Sequence, residues 1–545
     1  MGAPDVTVVI AVYNTMPYLT ECLDSVLGQT IGIDRLEVVA VDDGSTDDSP
    51  AELDRYAERY PGTVTVIHQA NSGGPAAPSN RALEVATGRY VFFLGADDRL
   101  GSEALQRLVR TADELEADIV LGKLVGVGGR GVFQAVYARD RDDITLVDSP
   151  LPWALSNTKL FRRSMVEEHR LRYPEDLKVA SDQPFTIRAV VAARRIAVRG
   201  EGYDFYYAVL RSDASNITYS TSPYGFLQST VVVMDTAAQV ISDPEALMQV
   251  HRRHFTWELG KLLGKRFLDV DRAERQQVQD GVRKLAEQYL TDSIRDGLDV
   301  QRRIPLSVAQ YGSLEDLVAV VEHFARDGLA PLVVDGERCY AALPGFRDPA
   351  RDFPDSWFDA SAVIGKRART ATPIGVAWGR AADGRPALVV DLLSAVPELD
   401  RISVPPARLT AGAVEAALTS TVAEGERVGW MDPGTRIRAE FRVADLVAGE
   451  TGRRSRRVRF AYSVLGKQRV HDLRGLDLAA AGRIRHRHGL RFFAVRADQD
   501  RDGRLVVVTE PIPWRRLAGG LARRLGVRRP RPQEGPRPQK GKTPA

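Results

Sequence analysis

Short apolar runs alternate with amphipathic segments through the first hundred residues of the chain. The runs cover residues 6–12, 36–41, 64–67 and 90–94. A continuous apolar run between turn signals is typical of a strand that is buried on both faces of a parallel sheet. The segments between the runs carry apolar residues at helical spacing. This order predicts an α/β fold with a doubly wound parallel sheet.

Three helices are predicted between these strands. The second covers residues 50–60 and the third residues 76–86. Residues 45–47, which are Ser, Thr and Asp, are candidate N-caps for the second helix. Gly88 is the expected C′ residue of the third helix. The first helix is indicated by five apolar residues at helical spacing: Leu19, Cys22, Leu23, Val26 and Leu27.

Polar residues follow three of the four predicted strands: Tyr13-Asn14, Asp42-Asp43 and Asp97-Asp98. The carboxyl ends of parallel strands meet at one edge of a sheet, where open α/β folds bind their ligands. There, Tyr13 can stack on a base, and Asp42 and Asp43 can accept hydrogen bonds from a base or a ribose. Asp97 and Asp98 are hard oxygen ligands suited to Mg²⁺ or Mn²⁺ bound to a diphosphate. The pattern therefore predicts a nucleotide and metal site at this edge.

The composition narrows the class of protein. The 545 residues, 44% of them hydrophobic, predict a globular protein of roughly three or four domains. The 75 basic and 72 acidic residues give a net charge of +3, which argues against a nucleic-acid partner. Two cysteines support neither a disulfide framework nor a zinc site. Without a signal pattern or an apolar run of about 18 residues, the expected location is cytoplasmic.

No G-x-G-x-x-G loop of dinucleotide oxidoreductases follows any of the four predicted strands, and the G-x-x-x-x-G-K-[ST] loop of P-loop NTPases does not occur in the sequence. Instead, four ordered motifs resemble the signatures of family 2 glycosyltransferases: Val-Ile-Ala-Val-Tyr-Asn, Val-Asp-Asp-Gly-Ser-Thr-Asp, Asn-Ser-Gly-Gly-Pro with Ser79-Asn80-Arg81, and Phe-Leu-Gly-Ala-Asp-Asp. Those enzymes have the Rossmann-like GT-A fold and use nucleotide-diphosphate sugars, so the resemblance implies such a catalytic domain over residues 1–220. The nucleotide-sugar-binding residues that it implies are Ala11, Tyr13, Asp42, Asp43, Asn71, Asn80, Arg81 and Asp97.

The resemblance continues into the second half of this domain. Residues 157–163 resemble the Asn-Lys-Leu-aromatic-Arg segment of the family. Asn157 and Lys159, together with Arg211, are therefore expected on the acceptor or diphosphate side. Asp182 lies where the family has its general base, directly before a predicted helix. The resemblance thus implies that Asp182 takes a proton from the acceptor hydroxyl.

Two other carboxylates, Glu175 and Asp176, lie in an irregular stretch and match no position of the family. Residues 215–218, Ser-Asn-Ile-Thr, resemble the loop that closes the acceptor side. Asp-Gln-Pro-Phe at 182–185, with Tyr-Ala-Ala-Leu-Pro at 340–344, is similar to bacterial wall teichoic acid glycosyltransferases. Those enzymes add a sugar, often N-acetylglucosamine from its UDP donor, to a polyol-phosphate polymer.

The sequence departs from the family at four positions near the expected site. Ala11 replaces a frequent proline, Ser79 replaces a frequent arginine, Gly95 replaces the first Asp of the Asp-x-Asp signature, and Ser181 replaces the Glu before the base. The last three remove polar side chains, which predicts reduced or altered activity. Because Gly95 removes a carboxylate expected beside the ribose, restoring it by Gly95→Asp is expected to tighten donor binding.

Three further regions follow the predicted catalytic domain. Residues 221–330 are expected to be helical, with a basic face that is either solvated or contacts a phosphate-rich acceptor: His251, Arg252, Arg253, His254, Lys261, Lys265 and Arg266. Residues 331–513 carry short alternating runs with hairpin turns at 383–384 and 502–503, which predicts one or two Ig-like β-sandwiches. Residues 514–545 form a basic tail, partly disordered, with the pattern of an interfacial helix.

The sequence therefore predicts an inverting glycosyltransferase that needs Mg²⁺ or Mn²⁺ and uses a UDP-sugar. The expected acceptor is a hydroxyl of a cell-wall polymer such as teichoic acid, and N-acetylglucosamine is one candidate sugar. Two alternatives stay open: a transferase for another surface or capsule glycan, and a catalytically weak homologue that serves as a polymer-binding scaffold. Further expected partners are the anionic inner face of the cell membrane, as a peripheral contact, and other copies of the chain, with a trimer as one form.

Overall fold

The computed structural model describes residues 3–211, 221–326, 330–425 and 433–514. The chain divides into two compact units, Met1–Asp327 with Arg347–Trp357, and Gly328–Phe346 with Phe358–Ala545. The predicted acceptor-side loop at residues 215–218 and the basic tail from residue 515 onward lie outside the described residues.

The first unit begins with strands and helices in strict alternation: β1 (Val6–Val12), α1 (Tyr18–Leu27), β2 (Leu36–Asp42), α2 (Ser49–Arg59), β3 (Val64–His68), α3 (Ala76–Val85) and β4 (Tyr90–Phe93). Shorter elements follow: β5 (Arg99–Leu100), α4 (Ala104–Glu114), β6 (Ile119–Gly122), β7 (Leu124–Val127), β8 (Leu160–Arg162), α5 (Arg163–Glu168), α6 (Asp182–Ala192), β9 (Ile196–Arg199) and β10 (Tyr206–Val209). The predicted α/β class is confirmed.

Seven of the described strands form one sheet in the order β3-β2-β1-β4-β8-β6-β9. β3, β2, β1 and β4 are parallel, as predicted. β8 runs antiparallel to both β4 and β6, so the whole sheet is mixed. Because β8 has only three residues, no hydrophobic period identifies it in the sequence. The described strands β5, β10 and β7 form a smaller sheet in that order.

The strand register brings the predicted polar clusters to one edge of the sheet. Val12, the last residue of β1, lies opposite Asp42 at the end of β2. Val9 lies opposite Phe93 at the end of β4, and Leu94 N donates to Val9 O at 3.0 Å. The loops after β1, β2 and β4 therefore leave the sheet on the same side, where open α/β folds bind ligands.

The N-cap prediction for α2 is wrong. Asp48 precedes the helix, and its side chain makes no capping hydrogen bond. The predicted cap residues instead bind the loop after β1. Ser45 Oγ accepts from Asn14 N at 3.0 Å, and Asp47 Oδ2 accepts from Met16 N at 3.0 Å. These side chains join two strand ends, and Asp47 Oδ1 also accepts from the N–H of Ser49, the first residue of α2, at 3.0 Å.

The predicted role of Gly88 as the C′ residue of α3 is also wrong. The helix ends at Val85, and Ala86 is already extended. Glycine is required at this position for a steric reason, because a Cβ on Gly88 would lie 2.5 Å from Thr7 N. The residue allows the chain to pass closely beside β1 before it enters β4.

The remainder of the first unit is helical, as predicted: α7 (Pro223–Val240), α8 (Pro244–Thr256), α9 (Glu258–Leu262), α10 (Lys265–Leu268), α11 (Arg272–Tyr289), α12 (Asp292–Gly297), α13 (Val300–Tyr311) and α14 (Leu314–Arg326). The sequence pattern misses α13, which contains Pro305 in its interior, where proline is normally excluded. Among the described residues, no helix has the length and apolar content needed to cross a bilayer.

The predicted basic helix face does not exist as one surface. His251, Arg253 and His254 are only 3%, 8% and 0% exposed. They lie on the buried side of α8, whereas Arg252 and Lys261 are more accessible. The three buried residues are therefore neither solvated nor able to contact a polymeric acceptor.

The second unit contains mostly antiparallel strands: β11 (Leu332–Asp335), β12 (Arg338–Ala341), α15 (Ser361–Arg367), β13 (Ala371–Arg380), β14 (Pro386–Ser394), α16 (Leu399–Ile402), β15 (Arg408–Ala411), β16 (Val414–Glu415), β17 (Ala417–Val422), β18 (Thr435–Arg442), α17 (Val443–Val447), β19 (Arg454–Val464), β20 (Lys467–Asp472), β21 (Ile484–His488), β22 (Arg491–Gln499) and β23 (Leu505–Pro511). The described strands form the sheets β13-β14-β18-β17 and β16-β15-β19-β23-β22-β21. Both predicted hairpins are confirmed, with Gly384 at φ +79° and Gly503 at φ +72°.

Candidate active site

The loops after β1 and β2 are joined around Asn14. This residue adopts a positive φ of 48°, and its side-chain oxygen accepts from Thr46 N at 2.7 Å and from Asp47 N at 3.3 Å. Tyr13, the preceding residue, is 49% exposed. Ala11 lies partly buried within β1. The aromatic ring that is predicted to stack on a base is thus accessible at the strand edge.

Asp42 is buried at the end of β2, and both of its oxygens have partners. Oδ1 accepts from Ser45 N at 3.0 Å, and Oδ2 lies 3.0 Å from His68 Nδ1. His68 Nε2 lies 3.0 Å from Asp54 Oδ1. The hydrogen bond to Asp42, followed by that to Asp54, raises the pKa of His68. Sequence reasoning misses His68 because the end of β3 carries no recognisable motif.

Asp43 is also buried, and it shapes the loop after β3. Its Oδ1 accepts from Gln69 Nε2 at 2.7 Å, and its Oδ2 accepts from Ser72 Oγ at 2.9 Å. The exposed Asn71 donates from Nδ2 to the backbone oxygen of Asp43 at 3.0 Å. The structure therefore brings Asp42, Asp43 and Asn71 together, as the sequence predicts.

Asp98, which follows β4, is buried and bound by its neighbours. Its Oδ2 accepts from Tyr206 Oη at 2.5 Å, and its Oδ1 accepts from Val209 N at 2.7 Å. Arg130 Nη1 lies 3.4 Å from Oδ1. Burial raises the pKa of Asp98 to about 6, and the charge of Asp97 contributes to the rise. Both oxygens already have partners and the side chain is only 6% exposed, so Asp98 is less accessible to a metal ion than Asp97, whose side chain is 13% exposed.

Asp97 is the more accessible candidate ligand, and it pairs with Arg211. Its Oδ2 accepts from Arg211 Nε at 2.7 Å, and Arg211 Nη1 donates to Asn14 O at 3.3 Å. The pair links the chain after β1, β4 and β10. Within the described ranges, no three His, Cys, Asp or Glu side chains are grouped so that they could hold a metal ion. Mg²⁺ commonly uses one or two carboxylates with phosphate oxygens and water, so Asp97 alone fits an ion that arrives with a diphosphate.

Gly95 lies directly against these two carboxylates. A Cβ at this position would lie 2.7 Å from Asp98 Oδ2 and 3.2 Å from Asp97 Oδ1. This geometry favours weaker donor binding in Gly95→Asp, the opposite of the expectation from the sequence. An added carboxylate would crowd two others and displace Asp98 from its hydrogen bonds.

Asp182 is the first residue of α6, as predicted, and it is partly exposed. The backbone N–H of Asn157 donates to its carboxylate. Lys159 is 1% exposed and donates to Ser156 O. Burial raises the pKa of Asp182, while the ammonium of Lys159 opposes the rise. The structure thus places Asn157 and Lys159 beside the predicted base.

Burial lowers the pKa of Lys159 to about 7, and the charge of Asp182 opposes this shift. The Lys159 side chain is only 1% exposed. The burial of Lys159 favours an indirect role on the acceptor side over a direct contact with substrate. Its position instead allows it to act on Asp182 through charge.

Aromatic rings connect the end of β4 to the start of α6. Tyr173 and Phe185 stack with their centroids 4.4 Å apart. Phe93 of β4 meets both rings edge-on, at 5.3 and 5.4 Å. Asn157 Nδ2 donates to Tyr173 Oη at 2.9 Å. Because packed rings have defined geometries, this cluster fixes the base relative to the strand edge that carries the two carboxylates.

Asn80 is hydrogen-bonded to the segment around Tyr173. It is 8% exposed, and its Nδ2 donates to Tyr173 O at 2.9 Å and to Glu175 Oε1 at 2.8 Å. Its Oδ1 accepts from Tyr173 N at 2.9 Å. Both the nitrogen and the oxygen of this amide have partners within the protein, which favours a structural role for Asn80 over the predicted donor contact. Asn80 instead positions the segment that carries Tyr173.

Arg81 lies on the surface of α3, and the hydroxyl of Ser79 is bonded to a backbone oxygen at the start of that helix. Arg81 pairs with Glu84, and both side chains are 54% exposed. Among the described residues, Arg81 makes no hydrogen bond or ion pair with another predicted site side chain. Ser79 Oγ donates to Pro75 O at 2.6 Å. The structure therefore gives no support to a donor contact by Arg81.

Comparison with known proteins gives two family matches. Residues 7–169 match the model of glycosyl transferase family 2, and residues 223–321 match the model of the glycosyl transferase TarS linker domain. A poly(ribitol-phosphate) beta-glucosyltransferase of Bacillus spizizenii is 37% identical over 49% of this chain and 43% of that protein. The poly(ribitol-phosphate) beta-N-acetylglucosaminyltransferase TarS of Staphylococcus aureus is 32% identical over 46% of this chain and 44% of that protein. The matches thus span less than half the length of these relatives.

Two crystal structures of S. aureus TarS resemble the chain. One matches 94% of this chain and 86% of that chain with a TM-score of 0.63 and 20% identity, which shows a common fold. TarS 1–349 in complex with UDP-GlcNAc matches 63% of this chain and 98% of that chain, with a TM-score of 0.55 and 27% identity. Asp182 lies between the two matched ranges, so its assignment as the base rests on the geometry of the site. Residues 7–169 of this chain are thus similar to glycosyl transferase family 2, and residues 223–321 are similar to the linker domain of TarS.

Proposed function

We propose that this chain is an inverting glycosyltransferase that moves a sugar from a UDP-sugar to a hydroxyl of a poly(ribitol-phosphate) or related polymer. The observation that carries the proposal is the position of Asp182. A partly exposed carboxylate stands at the start of α6 and is fixed by aromatic packing to the end of β4. The family 2 match and the two poly(ribitol-phosphate) transferases support the reaction class.

In this reaction the acceptor oxygen forms a bond to the anomeric carbon while the bond from that carbon to the diphosphate oxygen breaks. Asp182 receives the hydroxyl proton as the oxygen attacks, and UDP leaves from the opposite face. Burial raises the pKa of Asp182, which makes its carboxylate a better base near neutral pH. Asn157 N–H holds the carboxylate in place.

The donor is expected to bind along the edge formed by β1, β2 and β4. Tyr13 is accessible for stacking on the base, and Asn71 lies exposed beside Asp43. Arg211 provides a cation beside Asp97 for the diphosphate. A divalent ion held by Asp97 would neutralise charge that develops on the leaving diphosphate. Metal dependence is part of the proposal.

Release of UDP tests the proposal directly. UDP-glucose, UDP-N-acetylglucosamine and other UDP-sugars would each be incubated with the chain, with and without purified poly(ribitol phosphate), in EDTA or Mn²⁺. We expect slow hydrolysis of one donor without the polymer, a large increase with it, and loss of both in EDTA. If no mixture released UDP, the proposal that the chain is a glycosyltransferase would be contradicted.

The same experiment separates the rival functions. A transferase for a different surface glycan would hydrolyse its donor slowly but show no increase with poly(ribitol phosphate). A polymer-binding scaffold would bind that polymer without releasing UDP. The scaffold function is favoured by Gly95 and Ser181, which replace polar residues of the family signature.

Assembly and location are further parts of the proposal. The antiparallel sheets of the second unit carry no predicted catalytic group, and a polymeric acceptor rewards multivalent binding. We therefore propose a homo-oligomer, with a trimer as the expected form, that acts as a peripheral protein at the anionic inner face of the membrane. Light scattering of the full chain and of residues 1–326 tests assembly, and a monomeric full chain would contradict it. Salt-dependent binding to anionic vesicles tests location.

A further inference from the structure

Three buried polar residues of the helical part meet the first turn of α6. Arg253 and His254 lie on α8, and Glu258 is the first residue of α9. All three are less than 10% exposed. Their contact on α6 is Gln183, the residue that directly follows the proposed base. A polar cluster therefore lies between the linker-type helices and the catalytic turn.

The cluster is closely connected. Arg253 Nη1 donates to Gln183 Oε1 at 2.8 Å and lies 2.5 Å from Glu258 Oε1. Gln183 Nε2 lies 3.3 Å from the same carboxylate oxygen, and His254 Nε2 lies 3.0 Å from Gln183 Oε1. Because buried polar groups cost free energy unless they are paired, this arrangement strongly favours one position of Gln183 and of the adjacent residue.

The same guanidinium acts on Asp182 through charge. Asp182 is faced by Lys159, which directly precedes β8, by Tyr173 from the loop before α6 and by Arg253 from α8. Burial raises the pKa of Asp182, and Lys159 and then Arg253 oppose that rise. Glu258 is buried against Arg253, and its Oε2 has no hydrogen-bond partner among the described residues. The cation of Arg253 is therefore shared between Glu258 and the base.

We propose that Arg253 is a positioning residue for the proposed base: through its hydrogen bond to Gln183 it fixes the first turn of α6, which begins with Asp182. The helical linker then supplies part of the catalytic machinery rather than only a spacer. This inference rests on the proposed function, because Asp182 has a proton to accept only if the chain transfers a sugar. A purely structural pair would stabilise the helices without influencing Asp182.

A double-mutant cycle on unfolding tests the coupling without requiring activity. Wild type, Asp182→Asn, Arg253→Gln and the double variant would be compared by chemical denaturation at pH 7. We expect a non-additive effect of roughly threefold or more on the unfolding equilibrium constant, because charges that interact in the folded state couple. Additive effects would overturn the proposal, whatever the chain catalyses.

The rate profile gives the second readout. Removing the cation should raise the pKa of Asp182, so the acid limb of the pH–rate profile should move to higher pH in Arg253→Gln. At pH 7 the transfer rate should fall about 10-fold, less than the roughly 10²-fold or more expected for loss of the base itself, because Asp182 is still present. Arg253→Lys, which keeps the charge, should restore the position of the acid limb but not the full rate.

Arg295→Gln is the matched control, because Arg295 is another buried arginine of the same helical part. Its Nη1 donates to Ser307 Oγ at 2.8 Å and its Nη2 to Gln310 Oε1 at 2.6 Å. Its loss should lower stability without moving the acid limb. An equal fall in rate at every pH for Arg253→Gln and Arg295→Gln would show a structural role only. If wild type releases no UDP, the proposed function fails, while the double-mutant cycle still decides the coupling.

Discussion

The two halves of the candidate site hold their carboxylates in different ways. The donor edge consists of Asp42, Asp43, Asp97, Asp98 and Arg211. There, the acidic oxygens accept short hydrogen bonds from neighbouring loops, for example from Ser45 N and Ser72 Oγ. The base pocket consists of Asn157, Lys159, Tyr173 and Asp182. There, the carboxylate interacts through charge with the buried Lys159 and Arg253 and accepts a hydrogen bond from Asn157 N–H.

This difference indicates separate tasks. A carboxylate with several donors around it fixes loop geometry, so substitution at the donor edge should change binding. A carboxylate that is partly desolvated and faced by cations has a controllable proton affinity, so substitution in the base pocket should change the rate. If the comparison is right, variants at the two places will differ in the kinetic quantity that they alter, as well as in the size of the effect.

The largest effect is expected at Asp182. Asp182→Asn removes the only proposed proton acceptor and should lower transfer by roughly 10² or more, while donor binding stays nearly unchanged. UDP release and donor titration measure the two quantities. Asp176→Asn, at an exposed carboxylate six residues earlier, is the matched control and should keep the wild-type rate. If Asp176→Asn transferred slowly while Asp182→Asn kept the wild-type rate, the assignment of Asp182 as the base would be wrong.

The next effect concerns crowding at the donor edge. Gly95→Asp places a Cβ 2.7 Å from Asp98 Oδ2, and overpacking typically costs about 1–3 kcal/mol. Donor affinity should therefore fall by about 10-fold or more, measured by titration calorimetry with UDP and Mn²⁺. Gly95→Ala adds the same Cβ without the charge and should weaken binding less. Tighter binding by Gly95→Asp would show that this loop can open to accept a third carboxylate.

A smaller effect is expected for the support of Asp98. Tyr206→Phe removes the hydroxyl that donates to Asp98 Oδ2 at 2.5 Å. A buried acceptor that loses its donor costs about 1–3 kcal/mol, so the midpoint of thermal unfolding should fall by a few degrees. Tyr207→Phe is the matched control. The Tyr207 ring lies under Arg99, whereas the hydroxyl of the adjacent Tyr206 makes the contact to Asp98. Equal falls in the unfolding midpoint for both variants would show that the Tyr206 hydroxyl does not support Asp98.

The smallest effect is the pH dependence contributed by His68. Asp42 and Asp54 raise its pKa above 6.5 in the folded state. The stabilisation is therefore complete below about pH 6.5 and is lost as the pH rises through the folded value. His68→Gln should lower thermal stability at pH 6 more than at pH 8.5. Because the His68 side chain is 44% exposed, the difference should stay below about 1 kcal/mol. An identical loss at both pH values would contradict the ion pair.

The positions of Asp42, Asp97 and Asp182 could be predicted because each follows from local order in the chain. Asp42 ends an apolar strand, Asp97 lies in the turn after another, and Asp182 begins a helix as the first residue of the Asp-Gln-Pro-Phe signature. Long-range partners could not be predicted in this way. Tyr206 contacts Asp98 across 108 positions and Arg253 contacts Gln183 across 70, and no spacing rule joins such residues.

The places where the structure departs from the expectations of the sequence also depend on long-range contacts. Asn80 matches a motif, but the motif does not show that its amide is turned toward Tyr173 and away from the donor edge. The charges of Lys159 and Arg253 suggest exposure, whereas both are buried and paired with acidic or carbonyl oxygens. At Gly95 the sequence shows a missing carboxylate, but it cannot show that the space is already filled by Asp98.

One measurement tests the division between donor edge and base pocket most directly. Donor binding with and without Mn²⁺, and single-turnover transfer, would be measured for wild type, Asp97→Asn and Asp182→Asn. The account predicts that Asp97→Asn loses most of its Mn²⁺-dependent binding, whereas Asp182→Asn binds the donor like wild type but transfers roughly 10² times more slowly. If both variants lose binding and rate to the same extent, the two carboxylates act as one unit and the proposed division is wrong.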